Sequence, residues 1–307
     1  MTHTHTHSHF GEIARQTSTR LAIALAITLV FVVEEAAAGW YANSLALFSD
    51  AGHNLTDVFA LTLSWVAIRL SQRPSSDRHT FGFHRAGILA ALINSLTLIL
   101  MSLWIFYEAY QRLVAPQQVQ AGVLVLVGAL ALAVNLGTAL LIRRGSQHDL
   151  NIRSAFVHLM GDVFSTAGAM LAGVVMLFTG WNWLDPVVSI LIGGLILWNA
   201  WKILRETVDI LLESTPRDVD MVELVADIRA VEGVRGVHDL HVWSINQSLR
   251  TLSAHIVTDD QAISAGAALQ QGLSEVLAHQ YGIAHATLQL ECADCAPNCA
   301  YGVVTHN

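Results

Sequence analysis

Between Leu21 and Leu212 the chain consists of six apolar runs divided by polar segments, and that layout leaves few folds open. The runs cover about Leu21–Trp40, Leu45–Leu70, Ala86–Tyr110, Ala121–Ile142, Phe156–Phe178 and Pro186–Trp201, the last drifting on toward Leu212. An α-helix needs roughly 20 residues to cross a bilayer. Within lipid the backbone must satisfy its own N–H and C=O groups, which a helix does. Only 13% of the 307 residues are charged and 53% are hydrophobic, whereas soluble domains carry roughly 25% charge. The spacing therefore predicts an α-helical membrane protein with six transmembrane helices. Gly87, Gly128, Gly137, Gly161, Gly168, Gly173, Gly193 and Gly194 read as points of close helix packing.

Ionisable residues are costly inside a bilayer and normally face a bundle interior or a wet path. The second run holds His53 and Asp57, and the fifth holds His158 and Asp162. Residues four apart share one helical face, so each pair points one way. Two imidazole nitrogens and two carboxylates converging from two helices would make a tetrahedral site suited to zinc. Local hydrogen bonding that ties helices together is the simpler reading of a single pair, but two matching pairs favour a metal. Asp50 shares the face of His53 and reads as a polar contact, an orienting group or a proton handler. Of Glu34 and Glu35 in the first run, at least one should face the interior or lie near the interface beside Trp40 and Tyr41, in a structural role.

Lys and Arg fix the expected orientation. Arg15, Arg20, Arg69, Arg73, Arg78, Arg85, Arg143, Arg144, Arg153, Lys202 and Arg205 fall on one side, and the other has little beyond Arg112. Both termini and the loop after Arg69 are thus expected in the cytoplasm. From about Glu213 the sequence reads as soluble: helix over Val219–Ala230, strands over Val237–Ile245 and Thr251–Val257, helix over Ala262–Gln280, strand over Ala286–Glu291. The order αββαβ predicts a C-terminal α+β domain, ferredoxin-like in outline, with an antiparallel sheet backed by helices. The expected division is a His-rich tail at 1–18, a membrane domain at 19–212, a cytoplasmic domain at 213–291 and a Cys-containing tail at 292–307.

The order of elements, with Ser44-Leu45-Ala46-Leu47-Phe48-Ser49-Asp50-Ala51-Gly52-His53-Asn54-Leu55-Thr56-Asp57, Arg78-His79-Thr80-Phe81-Gly82-Phe83-His84-Arg85 and His238-Asp239-Leu240-His241-Val242-Trp243, resembles the cation diffusion facilitator family. The similarity runs from about Thr19 to Glu291 and looks closest to the bacterial zinc, cobalt and cadmium resistance branch. The resemblance implies a homodimeric inner-membrane exporter that exchanges a cytoplasmic divalent cation for protons. It places the transport site on His53, Asp57, His158 and Asp162, and two His with two Asp resembles the zinc-selective members. A ligating His must be neutral and a ligating Asp ionised, so metal and protons compete for the same groups. His53 or His158 would take up a proton as zinc leaves.

The resemblance also implies secondary sites. Asp77, His79 and His84 lie in the loop where some members bind a second metal, although Phe83 stands where another His is expected. A solvated loop is the plainer reading of that trio. His238, His255 and Glu291 match positions that often hold zinc in the family's soluble domain. Gln289 replaces a further His, so the site is incomplete or takes a single metal. His241 alternates to the face opposite His238 and is left out. Arg85 with Asp209 or Glu213 would make a charge link between bundle and soluble domain. Cys292, Cys295 and Cys299 follow directly, in a spacing that favours thiolate metal binding over a disulfide in a reducing compartment, or a frayed tail. The alternating His tract at 1–9 reads equally as a metal-capturing or a plain disordered segment.

Other classes fit poorly. A net charge of −8 argues against nucleic acid, and the N-terminus has no signal-peptide pattern. There is no His-Glu-x-x-His motif and no nucleophile paired with a base, so an intramembrane enzyme is not expected. A four-ligand site holds an ion too tightly for a channel. A membrane-anchored metal sensor stays open as an alternative, and so does export of cadmium, cobalt or nickel besides zinc.

Overall fold

The computed structural model describes residues 29–142, 150–247 and 249–292. Ahead of Glu213 these form six helices: α1 (29–42), α2 (Leu45–Ser71), α3 (Ala86–Val114), α4 (Ala121–Ile142), α5 (Leu150–Thr179) and α6 (Leu184–Leu211). By length and composition α3, the Met160–Thr179 part of α5, and α6 suffice to cross a membrane. Leu100, Leu126, Phe164, Phe178 and Trp198 point outward, an apolar exterior that water would oppose and lipid solvates. Of the described residues, those up to Leu63 and those within Ile93–Lys202 form one compact unit. The second takes in Ser64–Leu92 and the described residues from Ile203, so it includes helix ends besides the sequence after Glu213.

Inside the first unit, Ala46, Leu98, Ala169, Ile192, Ile196 and Ala200 form one buried cluster, and Leu47, Ala121, Leu124 and Met176 another. Glycine serves this packing at three of the eight expected positions. A Cβ on Gly128 would meet Met170 Cβ at 3.3 Å, one on Gly173 Leu124 at 3.0 Å, and one on Gly193 Phe106 at 3.0 Å. Gly87, Gly137, Gly161, Gly168 and Gly194 have nothing within 4 Å among the described residues. Frequency along a helix does not say which face touches a neighbour. Hydroxyls are satisfied within their own helices: Ser49 donates to Leu45 O (2.6 Å), Thr56 to Gly52 O (2.8 Å) and Ser102 to Leu98 O (2.9 Å), the usual solution for Ser and Thr in an apolar setting.

The start of α2 is capped from another helix. The first N–H groups of any helix lack intrahelical acceptors. Here Leu45 N donates to Asp185 Oδ2 (2.7 Å), Ala46 N to Asp185 Oδ1 (3.3 Å) and Leu47 N to Ser44 Oγ (3.3 Å). Ser44 Oγ itself donates to Asp185 Oδ1 at 2.5 Å. Asp185 is completely buried at the head of α6, and Arg112 from α3 lies 3.7 Å away. Arg112 also donates to Asn43 O (2.6 Å) and pairs with Glu108 (3.0 Å). One carboxylate thereby ties α2, α3 and α6 together.

The soluble part follows the expected order: α7 (Met221–Ala230), β1 (Val234–Ser244), β2 (Arg250–Thr258), α8 (Ile263–Tyr281) and β3 (Ile283–Cys292). Asp220 caps α7 by accepting from Val222 N and Glu223 N, and Gly282 ends α8 at φ 66°, the left-handed conformation glycine supplies at helix ends. The strand order is β1-β2-β3. β1 pairs antiparallel with β2, but β2 pairs parallel with β3. The sheet is therefore mixed, not antiparallel, because α8 carries the chain back along the sheet before β3 begins and such a crossover aligns the strands. Leu224, Ile228, Val237, Leu252, Ile256, Leu273 and Leu277 fill its core.

Replacing Asp185 by Ala removes the acceptor for two N–H groups of α2 and for the Ser44 hydroxyl before it, and leaves Arg112 beside an apolar gap. A loss of about 3–5 kcal/mol is expected, and Asp185→Asn, which keeps an acceptor oxygen, should lose less. Thermal unfolding of the detergent-solubilised protein ranks the three. Equal midpoints for wild type and Asp185→Ala would mean the cap is dispensable.

Candidate functional site

One turn of α2 separates His53 from Asp57, and α5 brings Asp162 to the same imidazole. His53 Nε2 lies 3.7 Å from Asp57 Oδ2 and 3.5 Å from Asp162 Oδ1, with all three side chains mostly buried. His158 lies on α5 one turn before Asp162, but its side chain is outside the described residues. An imidazole between two carboxylates, deep among apolar helices, offers borderline nitrogen and hard oxygen to a dication. Around it runs a polar seam. Asp50, 3% exposed, accepts from Thr166 Oγ1 (3.1 Å), which in turn accepts from Asn135 Nδ2 (3.4 Å). Glu35 on α1 accepts from Asn54 Nδ2 at 3.3 Å. Of the two glutamates, Glu35 is the one turned inward and Glu34 is exposed.

In the soluble domain, register sets His238 of β1 directly opposite His255 of β2. Their rings meet edge to face at 5.1 Å between centroids. Glu291, buried near the end of β3, reaches both: Oε2 lies 3.0 Å from His238 Nε2 and Oε1 2.9 Å from His255 Nδ1. One ligand atom from each lies within 4.8 Å of the others, the only such His/Cys/Asp/Glu trio among the described residues. Two imidazoles and a carboxylate are a donor set that zinc accepts. Gln289, paired with His255 in the sheet register, donates to Glu291 Oε1 at 2.8 Å and orients the carboxylate.

The strand β1 carries a bulge that overturns the expected placement of His241. His238 pairs with His255 and His241 with Ser253, so Asp239 and Leu240 together face the single residue Ala254. Asp239 takes φ 49°, a left-handed conformation that Asp tolerates better than most residues. The extra residue restores phase. Val237, Leu240 and Val242 are buried, and His238 and His241 both point away from them. Asp239 fills the gap between histidines, with Oδ1 3.0 Å from His241 Nε2 and Oδ2 3.5 Å from His255 Nε2. The apolar spacing of three and then two residues was the available signal, since an unbroken strand would alternate strictly.

The other expected groups are placed as follows. Arg85 Nη2 bonds Glu213 Oε1 at 2.8 Å, joining the chain ahead of α3 to the chain after α6. Asp209 instead pairs with Arg217 at 2.6 Å. In the loop, His79 stacks on Phe83 (4.5 Å between centroids), Asp77 is exposed, and His84 lines a cavity with Asp209, Arg217 and Arg250. The loop trio therefore does not form a metal-sized cluster. Cys292 ends β3 half-buried, while Cys295 and Cys299 lie outside the described residues, as does the His tract.

Residues 21–212 match the cation efflux transmembrane domain, and residues 216–293 the cytoplasmic domain of cation efflux proteins. The metal cation efflux system protein CzcD of Cupriavidus metallidurans is 37% identical over 275 residues, covering 90% of this chain and 87% of that protein. A cadmium, cobalt and zinc/H(+)-K(+) antiporter of Bacillus subtilis is 38% identical over 264 residues, 85% of each. The zinc transporter ZitB of Yersinia pseudotuberculosis is 38% identical over 288 residues, 92% of this chain and 90% of that one. Among solved structures, the metal-bound C-terminal domain of the CzcD transporter is 34% identical with a TM-score of 0.22, covering 24% of this chain and 99% of that one.

The bulge can be separated from any metal by working in chelator. A left-handed backbone costs a side-chain-bearing residue roughly 1–2 kcal/mol, most for β-branched types. Asp239→Val should therefore unfold more easily than Asp239→Gly by about that amount, although both lose the carboxylate. Denaturant unfolding of the full-length protein followed at Trp243 reads the difference. Indistinguishable variants would mean that position 239 does not need the left-handed conformation.

Proposed function

Since the chain belongs to the cation efflux family, whose members are transporters and not enzymes, we propose that it expels divalent zinc from the cytoplasm in exchange for protons. The site would be His53, Asp57, His158 and Asp162, with α2 and α5 tilting to open it alternately to each side. The observation that carries this reading is His53 held between Asp57 and Asp162, from two helices, with all three side chains mostly buried. The names of relatives support it: one is called a zinc transporter, another an antiporter of cadmium, cobalt and zinc against H(+) and K(+). Cadmium and cobalt are therefore included in the proposed substrate range.

The antiport follows from the ligands. Zinc requires a neutral imidazole and ionised carboxylates. Protons arriving from outside compete for those same groups, so each species drives the other off. The protein works in this reading as a homodimer in the bacterial inner membrane, both termini cytoplasmic, with residues 213–291 joining the subunits. His238, His255 and Glu291 hold a resident zinc there, and Asp239 steadies the far nitrogen of His255, as carboxylates commonly do for metal-bound histidines.

Zinc uptake into proteoliposomes under an imposed pH gradient tests the transport site. Asp57→Ala and Asp162→Ala should fall below about a tenth of wild-type flux, since each removes a charged ligand from a tetrahedral site. Wild-type flux in folded variants would make the pairs structural and send the site elsewhere. The cytoplasmic site is tested by zinc titration of the full-length protein. Glu291→Ala should lose one binding event per chain while keeping gradient-driven uptake, and unchanged stoichiometry would remove that ion from the account.

A further inference from the structure

The transport site leaves one buried carboxylate without a task. Glu35, on α1, is fully buried. Its Oε2 accepts from Asn54, and its Oε1 is enclosed with no hydrogen-bond partner. Beside it stands Asp50 of α2, nearly as buried, which in turn faces His53 and Asp162. No Lys or Arg occurs in α1 (29–42), in α2 before Arg69, or in the Met160–Thr179 part of α5. Among the described residues, the ionisable groups at this corner are Glu35, Asp50, Asp57 and Asp162 against His53, with His158 one turn before Asp162 in the sequence of α5 and Glu34 turned outward.

Four carboxylates cannot all stay ionised in an apolar surround with so few cations, because like charges and desolvation both favour the neutral acid. Asp57 and Asp162 must ionise to hold a dication. Asp50 already has a donor in Thr166 that stabilises its charge. Glu35 is the carboxyl with an oxygen left over. A proton on it turns an acceptor that has no donor into a donor, with the Asp50 carboxylate alongside to receive it.

We propose that Glu35 is a second proton site of the exchanger, outside the metal ligands, loaded while the transport site is empty and discharged when zinc binds. Zinc acts on it through the chain of charges from His53 and Asp162 to Asp50. When the dication sits among them, the negative potential that held the proton on Glu35 is cancelled. This rests on the transport reading of His53, Asp57 and Asp162 and adds a proton to each cycle that those residues alone would not carry.

The test counts protons released when zinc is added to the detergent-solubilised full-length protein in weak buffer. Glu35→Gln, a neutral copy of the loaded state, should still bind zinc at the transport site but release about one proton fewer per ion. Its zinc affinity should also climb less steeply with pH, by about tenfold less per pH unit, the slope of one displaced proton. An unchanged proton count in Glu35→Gln would overturn the proposal. Should that variant fail to fold, zinc-induced infrared difference spectra of the wild type decide instead. A protonated-carboxyl band lost on zinc addition that shifts in Glu35→Asp supports the site, and no such band, or one that Glu35→Asp leaves unmoved, overturns it. Asp57→Ala separates the two readings: if it binds and carries zinc like wild type, the transport site itself is misassigned, whereas its failure beside an unchanged Glu35→Gln sinks only the second proton.

Discussion

A carboxylate enclosed by apolar helices must be matched by donors, by a cation or by a proton, and the membrane part of this protein is arranged around that requirement. Asp185 is matched by donors. Two backbone N–H groups, a serine hydroxyl and the nearby Arg112 surround it, so its charge is permanently satisfied and serves as a joint. Asp57 and Asp162 are treated differently. Both meet the imidazole of His53 at ion-pair distance, an arrangement suited in the proposed reading to a cation that comes and goes. Glu35 has one donor for two oxygens. In the proposed reading a buried carboxylate thus acts as cap, ligand or acid according to what the neighbouring helices set beside it.

Much of this was legible in the sequence because it depends on period. The apolar runs needed only length, and α2 and α4 span nearly the residues anticipated. The approach of His53 to Asp57 needed only the spacing of one helical turn. What could not be read was anything depending on which face meets which neighbour. Asp185 stands beside a proline at the head of a helix, and nothing in the sequence tells that it closes the N-terminus of a helix 140 residues earlier. The glycines failed for the same reason: Gly173 meets Leu124 while Gly168 meets nothing within reach among the described residues.

The soluble domain shows the complementary failure. Its order of elements is readable, but the direction of β3 is not, and the phase of β1 breaks at one extra residue. Strict alternation assigned His241 to the wrong face because Asp239 adds a residue to the strand. The bulge has a chemical consequence beyond register. It turns a carboxylate toward His255 and His241 at the edge of the His238, His255 and Glu291 cluster, a position that regular pleating would have pointed elsewhere.

The two clusters differ in a way that suits different tenancies. His238, His255 and Glu291 are already drawn together at 2.9 and 3.0 Å, with Gln289 holding the carboxylate. They come from three strands of one sheet, which cannot shift separately without breaking its ladder. Such a site is preorganised, and in the proposed reading its ion stays. His53, Asp57 and Asp162 come from two helices at 3.5–3.7 Å and close to no such compact trio. Helices can slide or tilt while keeping their internal hydrogen bonds, so ligands shared between two of them can be brought together and parted at low cost. A carrier must release what it binds, and in the proposed reading sharing the ligands between α2 and α5 makes the strength of the site a function of helix position.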